Sequence, residues 1–357
     1  MNSLNPIPFK NLQIQKATVT TAARLHMGFV DLSASQERMF GSLGLALSAP
    51  LTKLTIFESK KTLIVAKNHE YVAKVVENLK NSLKIKANLT VEIDENIPEH
   101  AGLGSGTQMA LAIAAGMSAL FNFNLNTAQL AAMTSRGNRS GIGIGTFEQG
   151  GLVLDGGRRV QQKKIQPDSS PENDSEKYNL EEHNLQTHNL RVPPIIARHE
   201  FPQQWPILLI MDDEDHGVFG DAELQAFDIL KHADFATAQA LSYRVLMQAL
   251  PAVVEQDYAQ FSHAIHALQV ATGNYFSAAQ GGHYKSPHVA QVLQYLNQQG
   301  IICAGQSSWG PTGFAIFENE MIANTMLNQL QQRFSYSHQL RFQLMRAKNT
   351  GASIQLN

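Results

Sequence analysis

The stretch GLGSGTQMALAIAAG, Gly102 to Gly116, sets three glycines in five positions ahead of an unbroken run of mostly small and apolar residues. Glycine permits positive φ and close backbone approach, so successive N–H groups can converge on one anion. A helix that starts at Ser105 or Gly106 adds the positive end of its dipole. Ala110, Ala112, Ala114, Ala115 and Gly116 let that helix pack closely against its surroundings. A phosphate cradle is the functional reading; a tight strand-to-helix turn that holds nothing is the other. Two familiar phosphate loops are excluded by inspection. A P-loop needs a Lys-Ser/Thr pair where Gln108 stands, and a dinucleotide fingerprint needs glycine where Thr107 stands.

The rest of the chain bounds the answer. Its 357 residues allow one or two domains and a full core. With 43% hydrophobic and 16% charged residues it has the composition of an ordinary globular protein. A net charge of -2 without a long basic run gives no footprint for nucleic acid or a membrane surface. The single cysteine, Cys303, excludes an internal disulfide and a Cys-based zinc site, and fits a reducing compartment. The first residues lack the apolar core of a signal peptide, and Met109–Phe121 is too short to span a bilayer, so a cytoplasmic protein is expected.

Hydrophobic periodicity predicts strands at Ala17–Thr21, Leu51–Glu58, Leu63–Ala66 and Leu89–Ile93, and helices at Glu70–Ser82, Thr107–Phe121 and Thr127–Arg136. A second glycine-rich loop, SGIGIGTFEQGG, leads to a short strand Leu152–Asp155. Residues 161–192 are polar and proline-flanked and cannot offset the entropy of ordering, so they read as a disordered linker whose His183 and His188 are solvated. Beyond it lie strands at Pro206–Met211, Thr312–Phe317 and Leu340–Arg346. Helices are expected at Ala222–Leu250, Val253–Thr272, His288–Gln299 and Met321–Phe334. Elements that do not alternate regularly predict two α+β lobes, 1–160 and 193–357.

PEHAGLGSGTQMA (98–110) resembles the P-x-x-x-G-L-G-S-S-A phosphate loop of the superfamily that includes galactokinase and the homoserine, mevalonate and phosphomevalonate kinases. Gly106 replaces the second serine, which would help hold magnesium, and Thr107 replaces the alanine. Those kinases also carry a catalytic aspartate near the position of Gly143, and none stands there. Taken with ARLHMGFVDL (23–32), RGNRSGIGIGTFEQGG (136–151) and GQSSWGPTGFAI (305–316), the loop resembles a non-kinase branch, the β-ribofuranosylaminobenzene 5′-phosphate synthase family of methanopterin biosynthesis. The resemblance spans almost the whole chain except the polar insert.

It implies a two-lobed α+β fold of the GHMP-kinase type, with a ribosomal protein S5 domain 2-like N-terminal lobe and an α/β-plait-like C-terminal lobe. It implies a pentosyltransferase that condenses phosphoribosyl pyrophosphate with 4-aminobenzoate, or a hydroxy analogue, releasing CO2 and pyrophosphate without ATP. Mg2+ and a homodimer are expected with it. A true kinase of the same fold and a non-catalytic binder of a phosphorylated metabolite are the alternatives.

Such chemistry needs charge aimed at the leaving pyrophosphate, a water-poor site and an anchored aromatic acid. Gly102, Leu103, Gly104, Ser105, Gly106 and Thr107 form the expected phosphate loop. Arg24 and His26, two apart on a strand, would face one side, the first as a carboxylate or phosphate clamp and the second as a hydrogen-bonding or proton-moving group. Asp31 suits either magnesium or a turn cap. Arg136 and Arg139 serve either an anion or a helix dipole. Glu148, the one acid in the second glycine segment, is the candidate metal ligand in place of the kinase aspartate. Gln306, Ser307, Ser308 and Trp309 lie on a glycine-flanked loop that could bind sugar phosphate, with Trp309 either stacking on the aromatic ring or packing in the core. The acidic run Asp212–Asp215 reads as a solvated turn, with magnesium binding as the minority alternative.

Overall fold

The computed structural model describes residues 15–36, 38–137, 140–159, 192–215, 217, 230 and 233–357. Of the sequence expectations, nearly all of the polar linker, Arg139 and the first part of the helix from Ala222 lie outside them.

Two long strands, β1 (Lys16–Asp31) and β2 (Arg38–Ser59), run antiparallel and carry the first lobe. Short β3 (Leu63–Val65) leads into α1 (His69–Leu83), which Asn68 caps by accepting from the Tyr71 N–H. β4 (Asn88–Glu95) pairs with β2 and is followed by the glycine loop, α2 (Ser105–Leu120) and α3 (Thr127–Met133). Every residue of α2 from Gln108 to Ser118 is buried, as expected of a helix apolar all round. Its small residues are needed: a Cβ on Gly116 would lie 3.0 Å from the Ile56 methyl. Its buried Gln108 is fully engaged, accepting from Thr21 Oγ1 (2.5 Å) and donating to the Gly143 carbonyl (2.8 Å).

The expected second glycine loop is instead a helix, α4 (Ile142–Glu148). Its glycines serve close packing: a Cβ on Gly145 would meet Val153 at 2.8 Å and Ile195 at 2.9 Å. The segment ahead of it is fixed by buried Asp155, which accepts from Ser140 Oγ (3.0 Å) and from the N–H groups of Gly141 and Gly157 (both 2.8 Å). Asp155 ends β5 (Leu152–Asp155), which pairs with β2; β6 (Arg158–Arg159) pairs with the start of β2.

The second lobe is a four-stranded antiparallel sheet. Its centre is β8 (Ile207–Asp212), buried along its whole length, with β10 (Gly313–Ile316) on one side and β11 (Leu340–Met345) on the other. β9 (Ala304–Gln306) pairs with β10. α8 (Pro287–Gln298) and α9 (Glu320–Arg333) pack into one apolar cluster with this sheet. The two helices expected around 222–272 are divided differently. α5 (Phe235–Arg244), a π-helical turn at Val245–Ala249 and α6 (Leu250–Glu255) run on to Gln256, whose φ of 59° ends the helix. Asp257 then caps α7 (Tyr258–Gln280).

The division into lobes at the polar linker is corrected in two places. β7 (Ile195–His199) pairs with β5, and β12 (Ser353–Leu356) pairs with β1, so both join the first sheet. One apolar cluster also runs through both lobes, from Leu25, Met27 and Leu43 to Leu209, Phe261 and Phe314. Burial of this shared surface makes the lobes a single packed body.

Candidate active site

The glycine loop enters α2 through Gly102 (φ 76°) and Gly104 (φ 83°), backbone conformations that any other residue adopts only with strain. Gly104 is the N-cap and supplies no side-chain acceptor, so the amides at the start of α2 are left for an outside anion.

The loop is gripped from both lobes. The Gly102 carbonyl accepts from Arg24 Nη1 (2.6 Å) and Ser307 Oγ (2.8 Å). Ser307 Oγ in turn accepts from the His26 N–H (3.0 Å), and the Ser308 N–H donates to the His26 carbonyl (3.2 Å). Backbone meets backbone here, because a Cβ on Gly310 would lie 2.2 Å from the Gly102 nitrogen. Gln306 holds this loop from behind, its amide donating to the Ser308 carbonyl and accepting from the Lys285 N–H.

A cleft of about 1170 Å³ opens over the loop, bounded by α1, the end of β4 and the Ser308–Gly310 turn. Two guanidinium groups flank the loop. Arg24 lies along Gly104, where a Cβ would be 3.1–3.4 Å from its side chain. Arg136 lies along Gly106, with both Nη atoms 3.6 Å from a Cβ built there. The bulges that bracket Arg24 and His26 in β1 shift the register between Ala22 and Arg24 and between His26 and Gly28.

Arg24, Gly102, Gly104, Ser105, Gly106, Thr107, Arg136, Ser308 and Trp309 therefore converge, while Leu103 is buried beneath and holds the Arg24 N–H through its carbonyl (3.0 Å). Other expectations are corrected. His26 does not share the cleft with Arg24: its ring is 3% exposed and packs 4.6 Å from Phe29. Burial, aided by the Arg24 charge, pushes its pKa down to about 3, so it is neutral and a poor proton acceptor. Asp31 takes the turn-cap role, accepting from the Ser33 N–H and Oγ (both 2.7 Å), and does not line the cleft. Glu148 is exposed at the end of α4, outside the cleft. Trp309 takes the core-packing alternative: its ring lies 4.4 Å from Phe276, although the residue borders the cleft. The acidic run is not simply solvated, for Asp212 is buried and accepts from Ser286 Oγ (2.7 Å). Asp213 pairs with Arg341, and Asp215 with Lys285 at 3.7 Å.

The cleft also contains residues the sequence did not flag. Tyr71 donates to the Gly106 carbonyl (2.8 Å) and accepts from Arg136 Nη2. Glu99 accepts from Asn68 Nδ2 (3.0 Å) and Asn96 Nδ2 (3.3 Å) at the cleft wall. Among the described residues no cluster of three or more His, Cys, Asp or Glu is placed to hold a metal by itself. Glu99, Ser105 and Thr107 all line the cleft, and their carboxylate and hydroxyl oxygens are of the kind that suits a magnesium ion.

This two-lobed arrangement around a glycine loop defines the GHMP-kinase class. The GHMP kinase N-terminal and C-terminal models match residues 70–150 and 249–335. Solved structures share the fold at low identity. Homoserine kinase from Cytophaga hutchinsonii has a TM-score of 0.62 and 13% identity, over 98% of this chain and 100% of that one. Mevalonate diphosphate decarboxylase from Staphylococcus aureus has a TM-score of 0.61 and 12% identity, over 96% and 98%.

Within that class, the chain is 31% identical to β-ribofuranosylphenol 5′-phosphate synthase of Methanocaldococcus jannaschii over 85% of its own length and 90% of the relative's. It is 29% identical to the synthase of the same name from Archaeoglobus fulgidus, over 94% and 98%. The chain belongs to the β-ribofuranosylphenol 5′-phosphate synthase family. No helix among the described residues is long and apolar enough to cross a membrane.

Proposed function

We propose that the protein joins C1 of phosphoribosyl pyrophosphate to the ring of 4-hydroxybenzoate or 4-aminobenzoate, releasing pyrophosphate and CO2. The observation that carries this reading is a glycine loop at a helix N-terminus between two guanidinium groups, in a scaffold whose packing crowds the place of the kinase aspartate. A Cβ on Gly143 would lie 2.9 Å from the Thr107 methyl. The relatives' name specifies a phenol, which favours the hydroxy acid as acceptor.

In this reaction the C1–O bond breaks and its electron pair leaves on pyrophosphate. The ring carbon bearing the carboxylate bonds to C1, and the electron pair of the broken C–COO⁻ bond restores aromaticity as CO2 departs. The loop amides, the α2 N-terminus, Arg24 and Arg136 meet the charge that gathers on the leaving group. Glu99, Ser105 and Thr107 are the cleft residues that would hold magnesium, which would supply further neutralisation of the leaving group. Neither proton abstraction nor phosphoryl transfer is required, which suits a site whose nearby histidine is buried and neutral.

The test mixes protein, magnesium, phosphoribosyl pyrophosphate and carboxyl-labelled acceptor without ATP. Equal release of labelled CO2 and pyrophosphate is expected. Release of neither with both acceptors overturns the reading, and ATP-dependent phosphorylation of a small alcohol would establish a kinase instead. Sedimentation of the same preparation tests the homodimer that belongs to this proposal.

A further inference from the structure

The Arg136 guanidinium is half-buried beside the loop, and its one hydrogen bond among the described residues goes to Tyr71 Oη. Among the described residues its buried Nε has no hydrogen-bond partner and no carboxylate pairs with it. A guanidinium part-buried in this way is best completed by an anion on its open side. The backbone fixes where it starts: the Arg136 N–H donates to the Ala131 carbonyl (2.9 Å) just beyond α3. Tyr71 fixes where it ends. Its hydroxyl is fully used, donating to Gly106 and accepting from Arg136, and its ring lies 5.7 Å from the guanidinium carbon. Arg24, by contrast, already spends Nη1 on the Gly102 carbonyl.

We propose that Tyr71 is a positioning residue that aims Arg136 at the diphosphate leaving group, and that Gly106 is the opening through which the guanidinium reaches it. A side chain at 106 would lie in ordinary contact with both Nη atoms, so a serine there would crowd the face that the guanidinium turns to the loop. The hydroxyl absent from position 106 is thus replaced by a cation on the same side of the loop. Tyr71 ties that cation to the first turn of α2, so the amides and the guanidinium move as one unit. This inference rests on the synthase reading for the identity of the anion as a diphosphate.

The experiment titrates the whole protein, with magnesium, against inorganic pyrophosphate, ribose 5-phosphate and 4-hydroxybenzoate in turn. It compares wild type with Tyr71→Phe, Arg136→Gln, Arg136→Lys and Gly106→Ser. Loss of one charge-assisted contact predicts about tenfold weaker pyrophosphate binding in Tyr71→Phe and Gly106→Ser and a larger loss in Arg136→Gln. Arg136→Lys recovers part of it. Binding of 4-hydroxybenzoate and ribose 5-phosphate stays at the wild-type value, and in turnover the acceptor KM is unchanged. Wild-type pyrophosphate affinity in Tyr71→Phe overturns the proposal, and so does an equal loss for all three ligands, which would mark a merely structural role. A selective pyrophosphate loss in a protein that forms no product with either acceptor upholds the Tyr71–Arg136 assignment while the synthase reading fails.

Discussion

Gly143 and Thr107 are in van der Waals contact across the α4–α2 interface, so closely that a Cβ at 143 would come within 2.9 Å of the Thr107 methyl. The kinase aspartate is therefore excluded by packing as well as missing from the sequence. Gly143→Asp should yield no kinase activity and should lower stability by about 1–3 kcal/mol, the usual cost of forcing atoms into a packed core. Urea denaturation checks this. Thr107→Ala in the same chain should return part of the loss, and a fully stable Gly143→Asp single variant would refute the packing argument.

Arg24 joins the first sheet to the loop and faces the cleft at once. Arg24→Gln should lower kcat by about 10²–10³, the range for removing one preorganised donor at a developing charge. Far-UV circular dichroism should be unchanged. Steady-state kinetics with phosphoribosyl pyrophosphate decide it; a variant within a factor of two of wild type would remove Arg24 from the site.

His26 should leave its mark on stability rather than on catalysis. Its folded pKa of about 3 lies below the ordinary 6.5, chiefly because burial disfavours the charged ring. Between those values the unfolded chain binds a proton that the folded protein does not. The stabilisation is therefore present above about pH 6.5 and is lost as pH falls towards 3, at about 1.4 kcal/mol per pH unit. Denaturation at pH 7, 6 and 5 should show a shallower acid loss in His26→Gln than in wild type, and identical slopes would count against it.

Ser307 carries the seam between the two loops through one hydroxyl. Ser307→Ala leaves a buried N–H without its acceptor and should cost about 1–3 kcal/mol. The substrate KM should rise with it, because the same hydroxyl grips the Gly102 carbonyl. Chemical denaturation alongside kinetics measures both, and an unchanged KM would separate the seam from the site.

The GLGSG loop and its helix were legible because glycine pattern and apolar run are both local. Leu152–Asp155 and the strand around Ile207–Met211 were readable for the same reason, as short apolar runs between turns. SGIGIG misled because glycines that allow close packing look like glycines that free a loop, and only the facing Thr107, Val153 and Ile195 tell them apart. His26 was misplaced because period-two alternation gives the face of a strand and not what covers it: its ring is packed against Phe29, while the longer Arg24 side chain reaches the cleft. Tyr71 was invisible: its partner Arg136 is 65 residues away, and a tyrosine on an amphipathic helix carries no signal of its own. β7 and β12 were not read as strands at all, because nothing in so short a segment names the sheet it will join.

The pairing of β1 with β12, where Ala17 lies opposite Leu356, has a consequence for biogenesis. Synthesis makes β1 long before β12, so during translation the early strand waits with the Ala17–Thr20 edge unanswered. An amino-terminal fragment that stops before β12 should for that reason self-associate through β1, as uncovered strand edges do. Contacts this distant in sequence also slow folding. The architecture that seats the phosphate loop so firmly thus leaves an early strand dependent on one synthesised more than three hundred residues later.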